Sequence, residues 1–242
     1  MNGDGHRDVI SGSFPGEIHV FAGREDGTFA KSTPLESATG DLYKFKASVP
    51  YAVDWEGDGD LDFIVGDIQG FIHLIPNESN DGTLKLGTAQ KLSAGGDEIK
   101  VPAGDSGPVV TDWDGDGRID LIVGCGNGEV HFYKNTAERG APTLAAGEVL
   151  VNRSSKYPGN KGDDSACSPC GSRTKVAVAD WNGNGKLDLL VGDFSMSAPE
   201  ARELSEEEQK TLETLKAQQP QVMEAYSKKM QGIQQEIFES LG

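Results

Sequence analysis

A nine-residue acidic phrase with paired glycines returns along this chain in fixed register, each time followed by an apolar run that closes on glycine. The second copy reads Asp54-Trp55-Glu56-Gly57-Asp58-Gly59-Asp60-Leu61-Asp62, then Phe63-Ile64-Val65-Gly66. The third reads Asp112-Trp113-Asp114-Gly115-Asp116-Gly117-Arg118-Ile119-Asp120, then Leu121-Ile122-Val123-Gly124. The fourth runs from Asp180-Trp181-Asn182-Gly183-Asn184 through Asp188 to Leu189-Leu190-Val191-Gly192, and a first copy begins within the loop at Asn2-Gly3-Asp4. All three tryptophans fall in the same slot. A register kept this strictly limits the chain to one supersecondary unit used repeatedly. Equivalent positions Asn2, Glu56, Asp114 and Asn182 are 54, 58 and 68 residues apart, room for four strands and their connections in each unit.

The phrase has the chemistry of a hard-cation loop. Oxygen side chains at positions one, three, five and nine converge when the chain turns tightly, and position seven can add its carbonyl. Gly59, Gly117 and Gly185 stand at position six, where the turn needs a left-handed residue. Without a cation, clustered carboxylates repel one another. A solvated Asp-Gly turn would account for any single copy but not for four in register. An EF-hand would place a glutamate at position twelve and a helix after it. Here position twelve is Val65, Val123 and Val191, inside β-branched runs that read as buried strands. The order is therefore loop, strand, tight hairpin, strand, as in Cys125-Gly126-Asn127-Gly128 followed by Glu129-Val130-His131-Phe132-Tyr133-Lys134-Asn135.

At these residues the chain resembles the FG-GAP/VCBS family of β-propeller repeats, found in integrin α-subunit heads and many bacterial surface proteins. The resemblance covers about residues 1–195 and rests on the acidic loop, the Val-Gly pair and the Gly-x-Val-x-Phe-Tyr-x-Asn signature. It implies one calcium ion in each loop between the first and second strands of a blade. Carried onto this sequence, the ligands are Asp54, Glu56, Asp58, Asp60 (by its carbonyl) and Asp62 in the second repeat. They are Asp112, Asp114, Asp116, Arg118 (carbonyl) and Asp120 in the third, and Asp180, Asn182, Asn184, Lys186 (carbonyl) and Asp188 in the fourth. Glu56 is a methylene longer than the usual ligand, the fourth loop has only two ligand carboxylates, and the first lacks position one. The third loop is expected to bind tightest and the first to be empty.

The fold expected is all-β: four-stranded propeller blades over residues 1–198, part of a seven-bladed ring, with a helical extension over 199–242. A start inside a repeat implies a piece of a longer protein, and an unclosed array exposes strand edges. The formal net charge of −17 sits largely in the loops and offers no basic stripe to nucleic acid. No apolar stretch approaches a membrane span. Open, glycine-rich calcium loops work at extracellular concentrations, which points to a secreted, periplasmic or cell-surface setting.

After Asp193 the composition turns to Glu, Gln, Lys and Ala. Ser205 and Glu208 form a capping box for one helix, and Pro220 marks the first turn of a second. Val222, Met223, Tyr226, Met230, Ile233, Ile237 and Leu241 then recur on one face, so the expectation is a helical hairpin packed on the propeller or inserted in its last blade, with a partner-binding helix as the alternative. Opposite the calcium loops, the segments Ser37–Lys46, Ala94–Gly107 and Asn152–Arg173 form a candidate ligand face, the last carrying Lys156, Tyr157, Asp163, Asp164, Cys167 and Cys170. A disulfide between two of Cys125, Cys167 and Cys170 suits an exported protein, and free thiols are the other reading. His19, His73 and His131 share a register position, read as inter-blade packing rather than as a metal ring.

No nucleophile elbow, phosphate loop or His-Glu-x-x-His motif is present, and the calcium loops account for nearly all paired carboxylates. The leading reading is a calcium-binding, non-enzymatic module that presents loops to an extracellular protein or carbohydrate. The rivals are the propeller part of a larger secreted polysaccharide-active enzyme and a purely structural spacer.

Overall fold

The computed structural model describes residues 3–79, 84–152, 171–194 and 205–240. Two compact units divide the chain, Met1–Ser197 and Ala198–Gly242.

The first unit is a row of small antiparallel sheets. Strands β1 (Val9–Gly12), β2 (Ile18–Phe21) and β3 (Thr33–Pro34) form the first. The second contains β4 (Val49–Val53), β5 (Asp62–Gly66), β6 (Ile72–Ile75) and β7 (Gln90–Lys91), followed by a short hairpin of β8 (Ser93–Ala94) and β9 (Asp97–Glu98). The third contains β10 (Gly107–Thr111), β11 (Asp120–Gly124), β12 (Val130–Tyr133) and β13 (Glu148–Val151). The fourth pairs β14 (Ser172–Ala179) with β15 (Asp188–Phe194). The expected four strands are thus present in the second and third sheets, with three and two described strands in the outer ones. The acidic loop joins the first strand to the second in the last three sheets. Strand β4 lies against β1 on one side and β10 on the other, and β10 lies against β14.

The alternation along each strand decides which neighbour it meets. Paired residues Phe63 and Ile75 pack toward the first sheet, with Ile18, Leu35 and Tyr43. One residue on, Ile64 and Leu74 pack toward the third, with Val110, Leu121 and Tyr133. Leu121 and Tyr133 in turn face the second sheet, while Ile122 and Phe132 face the fourth, with Val176, Val178 and Leu189. Burial on both faces is why Phe63-Ile64-Val65 and Leu121-Ile122-Val123 read as unbroken apolar runs. Each of these side chains, none of it exposed, stabilises the stack by about 1.5–3 kcal/mol.

One junction recurs between sheets. The N–H of Ser48 donates to the carbonyl of Ser13 at 3.1 Å, Ser106 to Asp67 at 3.0 Å, and Thr174 to Cys125 at 3.1 Å. The residue just before each donor, Ala47, Asp105 and Arg173, has φ of 53, 52 and 57°. The glycine closing each apolar run faces this junction. A Cβ on Gly12, Gly66 or Gly124 would lie 1.9, 2.4 or 2.2 Å from the carbonyl oxygen of Ser48, Ser106 or Thr174. Only glycine permits that approach.

The second unit corrects the expected helical hairpin. It is one helix, α1 (Glu206–Ser240), with Pro220 inside it. The capping box holds: Ser205 N–H donates to Glu208 Oε2 at 2.9 Å, and Glu208 N–H to Ser205 Oγ at 3.3 Å. Pro220 removes one backbone donor, but Ala217-Gln218-Gln219 before it and Gln221-Val222-Met223 after it contain no turn-forming residue, so the helix continues. Val222, Met223 and Tyr226 are exposed. Ile237 and Leu241 lie outside the described side chains. No described helix is long and apolar enough to cross a membrane.

Candidate metal centre

Each acidic loop is drawn tight by its own carboxylates before any cation is considered. In the second loop Asp54 Oδ1 accepts from the N–H of Gly57 and Asp58, and its Oδ2 from Gly59, at 2.9–3.0 Å. Asp112 holds Asp116 and Gly117 the same way at 3.0 and 2.9 Å, and Asp180 holds Asn184 and Gly185 at 2.9 and 2.8 Å. Position five adds an Asx turn: Asp58, Asp116 and Asn184 accept from the N–H of Asp60, Arg118 and Lys186 at 3.0, 3.1 and 2.8 Å. The position-six glycines are left-handed, with φ of 98, 86 and 81° at Gly59, Gly117 and Gly185.

The third loop brings three of its expected ligands together: carboxylate oxygens of Asp112, Asp114 and Asp116 lie within 4.8 Å of one another. This all-oxygen, half-exposed donor set fits a hard divalent cation. Two cations of the chain already face it. Lys134 Nζ donates to Asp114 and lies 3.1 Å from Asp116, and Arg118 Nη2 donates to Asp116. Hydrogen bonding to Asp114, then to Asp116, raises the Lys134 ammonium above its ordinary pKa.

The second loop differs because Glu56 turns inward. Its Oε2 is buried with no hydrogen-bond partner. Burial pushes the Glu56 carboxyl up to about 7, reinforced by the adjoining Asp62 and Asp58. An orphaned carboxylate oxygen among carboxylates is a place where a cation satisfies what the protein leaves unmatched. The fourth loop is open: Asp180, Asn182 and Asn184 are exposed, and Asn182 Nδ2 donates to Asp188 Oδ2 at 3.0 Å. In the first, Asp4 Oδ1 accepts from the N–H of His6 at 2.8 Å.

Position nine has a second role that sequence reading missed. Asp62 Oδ2 accepts from the N–H of Trp55 at 2.8 Å and its Oδ1 from the N–H of Asn77 at 2.7 Å. Asp120 repeats this with Trp113 and Asn135 at 3.1 and 2.8 Å. Asn77 Oδ1 then accepts from Lys85 at 2.8 Å, and Asn135 Oδ1 from Ala137 and Thr143 at 2.9 and 3.1 Å, closing the outer hairpins. In the first repeat Asp8 accepts from Gly23 at 2.8 Å. The constant fifteen-residue spacing was the available signal. Each carboxylate oxygen keeps a further lone pair, so this brace and metal ligation are compatible. Burial, ahead of other causes, raises the pKa of Asp120.

The segments opposite the loops divide. Phe45 N–H donates to Gly16 O at 2.9 Å and Val101 N–H to Gly70 O at 2.9 Å, which seats both against hairpin tips. Ala38 instead donates to Leu86 O, in the outer part of the second sheet. Lys156, Tyr157, Asp163, Asp164, Cys167 and Cys170 lie outside the described residues. Cys125 is free and buried, packed in the cluster between the second and third sheets. Burial pushes its thiol up to about 12. Each in-register histidine meets a nearby carboxylate: His19 with Glu17, His73 with Asp67 and His131 with Glu129. His73 also packs 4.6 Å from the ring of Phe45, which lies in the connection between the first and second sheets.

The pattern described as the FG-GAP-like repeat matches residues 1–65, 54–123 and 112–191. Cartilage acidic protein 1 of Xenopus tropicalis is 27% identical over 201 residues, which cover 79% of this chain and 27% of that protein. The chain therefore spans about a quarter of that relative's length.

Proposed function

The chain belongs to the FG-GAP-like repeat family, and from that membership we propose that it is a calcium-braced stretch of β-propeller that acts as an extracellular binding module without chemistry of its own. The observation that carries this reading is the convergence of Asp112, Asp114 and Asp116 in a loop whose register is kept in every repeat. Asp120 and the Arg118 carbonyl complete the set for the third site. The second would use Asp54, Glu56, Asp58, Asp62 and the Asp60 carbonyl; the fourth would use Asp180, Asn182, Asn184, Asp188 and the Lys186 carbonyl. A bound cation supplies charge neutralisation and locks each loop. The residues themselves already fix its turns, so the site is largely preformed.

A rigid, braced row of sheets leaves its connections free to vary, and loops on such a scaffold are where binding resides. The ligand is a protein or a carbohydrate met outside the cell, on the surface formed by the hairpin tips and the segments seated against them. The blades belong to a larger ring, seven being the expected number.

Thermal melts in chelator, calcium and magnesium test the reading. At calcium several-fold above a site's dissociation constant, each loop adds about 1 kcal/mol, so the melting temperature should rise by a few degrees with calcium and not with equimolar magnesium. Unchanged melts together with no heat of calcium binding by titration calorimetry would overturn it.

A further inference from the structure

We propose that Asn182 in the fourth acidic loop is a self-modifying site: its side-chain amide is lost to water, and the aspartate formed gives the loop a third ligand carboxylate. An asparagine followed by glycine is the most reactive context for this chemistry, because glycine has no Cβ to obstruct attack by its own main-chain nitrogen. What then separates one such pair from another is whether that N–H is free. Three Asn-Gly pairs lie among the described residues: Asn127-Gly128, Asn182-Gly183 and Asn184-Gly185. Gly128 is buried and its N–H donates to Cys125 O at 3.1 Å, while Asn127 Oδ1 accepts from the N–H of Glu129 at 3.1 Å. The N–H of Gly185 donates to Asp180 Oδ2 at 2.8 Å, and Asn184 Oδ1 accepts from the N–H of Lys186 at 2.8 Å. Both reacting groups of those two pairs are held. The N–H of Gly183 has no hydrogen bond among the described residues, and the bond made by Asn182 uses Nδ2, the nitrogen that departs. Exposure at this position belongs to the motif: Gly57 and Gly115, in the same slot of the second and third loops, are exposed as Gly183 is.

The step balances with water as its only co-reactant. Gly183 N gives its proton to hydroxide and attacks Asn182 Cγ; the N–Cγ bond forms, the Cγ–Nδ2 bond breaks, and ammonia leaves with a proton from solvent. Water then opens the five-membered imide. Cleavage of the new N–Cγ bond restores the main chain and leaves a carboxylate on residue 182. Cleavage at the main-chain carbonyl gives isoaspartate, with one more methylene in the backbone. In sum, one amide and one water become one carboxylate and one ammonium ion.

The consequence for the loop rests on the calcium reading proposed above. Asn182 Nδ2 donates to Asp188 Oδ2 at 3.0 Å, so the amide now satisfies one of the two ligand carboxylates. Aspartate removes that donor and sets two carboxylates against each other, an arrangement that repels itself until a cation enters. The third loop already has this residue: Asp114 stands at position three and converges with Asp112 and Asp116. More ligand charge tightens a calcium loop, so the fourth site strengthens as the protein ages.

Peptide mapping by mass spectrometry on the full chain held at pH 8 tests this. Asn182 should acquire the mass of one deamidation, part of it as aspartate, while Asn127 and Asn184 remain amides over the same period. By titration calorimetry Asn182→Asp should bind calcium several-fold tighter than the unaged parent chain. Asn182→Gln, whose ring would need six members, should neither change mass nor gain affinity on ageing. No mass gain at Asn182, an equal or faster gain at Asn184, or isoaspartate as the sole product would overturn the proposal. A mass gain at Asn182 beside an Asn182→Asp chain with unchanged calcium binding would overturn the gain of affinity and the calcium reading of this loop, with the amide chemistry itself demonstrated.

Discussion

The N–H of Asn135 donates to Asp120 Oδ1 at 2.8 Å, tying the end of β12 to the acidic loop fifteen residues earlier. The other oxygen of Asp120 holds Trp113, so one carboxylate joins the loop, the second strand and the outer hairpin. Asp120→Ala leaves two N–H groups unmatched, each costing about 1–3 kcal/mol when buried. Urea unfolding in chelator should therefore show a loss of about 2–4 kcal/mol for Asp120→Ala, against a much smaller one for Asp114→Ala. Equal effects of the two would contradict a metal-independent role for position nine.

Lys134 occupies the charge that a divalent cation would otherwise satisfy at Asp114 and Asp116. Lys134→Met should tighten calcium binding to the third loop by roughly two- to tenfold, since an exposed pair competes only modestly. Titration calorimetry at low salt reads this directly, and the gain should shrink as salt is added.

Glu56 links stability to pH. Its carboxyl is held up to about 7 by burial and by Asp62 and Asp58, against an ordinary 4.5. The folded chain then keeps a proton that the unfolded chain has released, so this contribution is full below 4.5 and lost as pH rises through about 7. In chelator, the urea midpoint should fall across that window, and Glu56→Gln should flatten the profile. A slope of opposite sign, or one unaffected by Glu56→Gln, would remove Glu56 as its source.

Two glycines of the same motif should differ in tolerance. A Cβ at Gly124 would lie 2.2 Å from the Thr174 carbonyl oxygen, and relieving that overlap should cost about 1–3 kcal/mol or more. Gly192→Ala should change the melting temperature little, because its space is open. The comparison fails if both variants melt alike.

Cys125 should resist alkylation. Its thiol is fully buried and, through that burial first and Glu129 second, ionises only near about 12. Mass spectrometry after iodoacetamide treatment at pH 8 should find its peptide unmodified in the folded protein and labelled in urea.

The loops and the strands after them were legible because both are local: a glycine at position six and an unbroken β-branched run mean the same thing in each repeat. What sequence could not convey was where side-chain oxygens aim. Asp62 and Asp120 stood in the pattern as metal ligands, yet their backbone partners depend on a hairpin returning Asn77 and Asn135 beside them. Lys134 stands 20 residues from Asp114 along the chain, and only the sheet sets it over that carboxylate. Pro220 was misread for a physical reason: a proline removes one donor, and an exposed helix with strong formers on both sides accommodates that loss.

The bond that recurs at each junction between sheets joins main-chain atoms, and the hydroxyls of Ser48 and Ser106 bond beside it in the first two. Ser13, Asp67 and Cys125 supply its carbonyl in turn, and nothing in that bond consults their side chains. An evolving lineage can therefore exchange an alcohol for a carboxylate or a thiol at the hairpin tips without disturbing how one sheet seats on the next. Whole repeats can likewise be duplicated or lost with every joint intact, so recognition and architecture are free to change at separate rates.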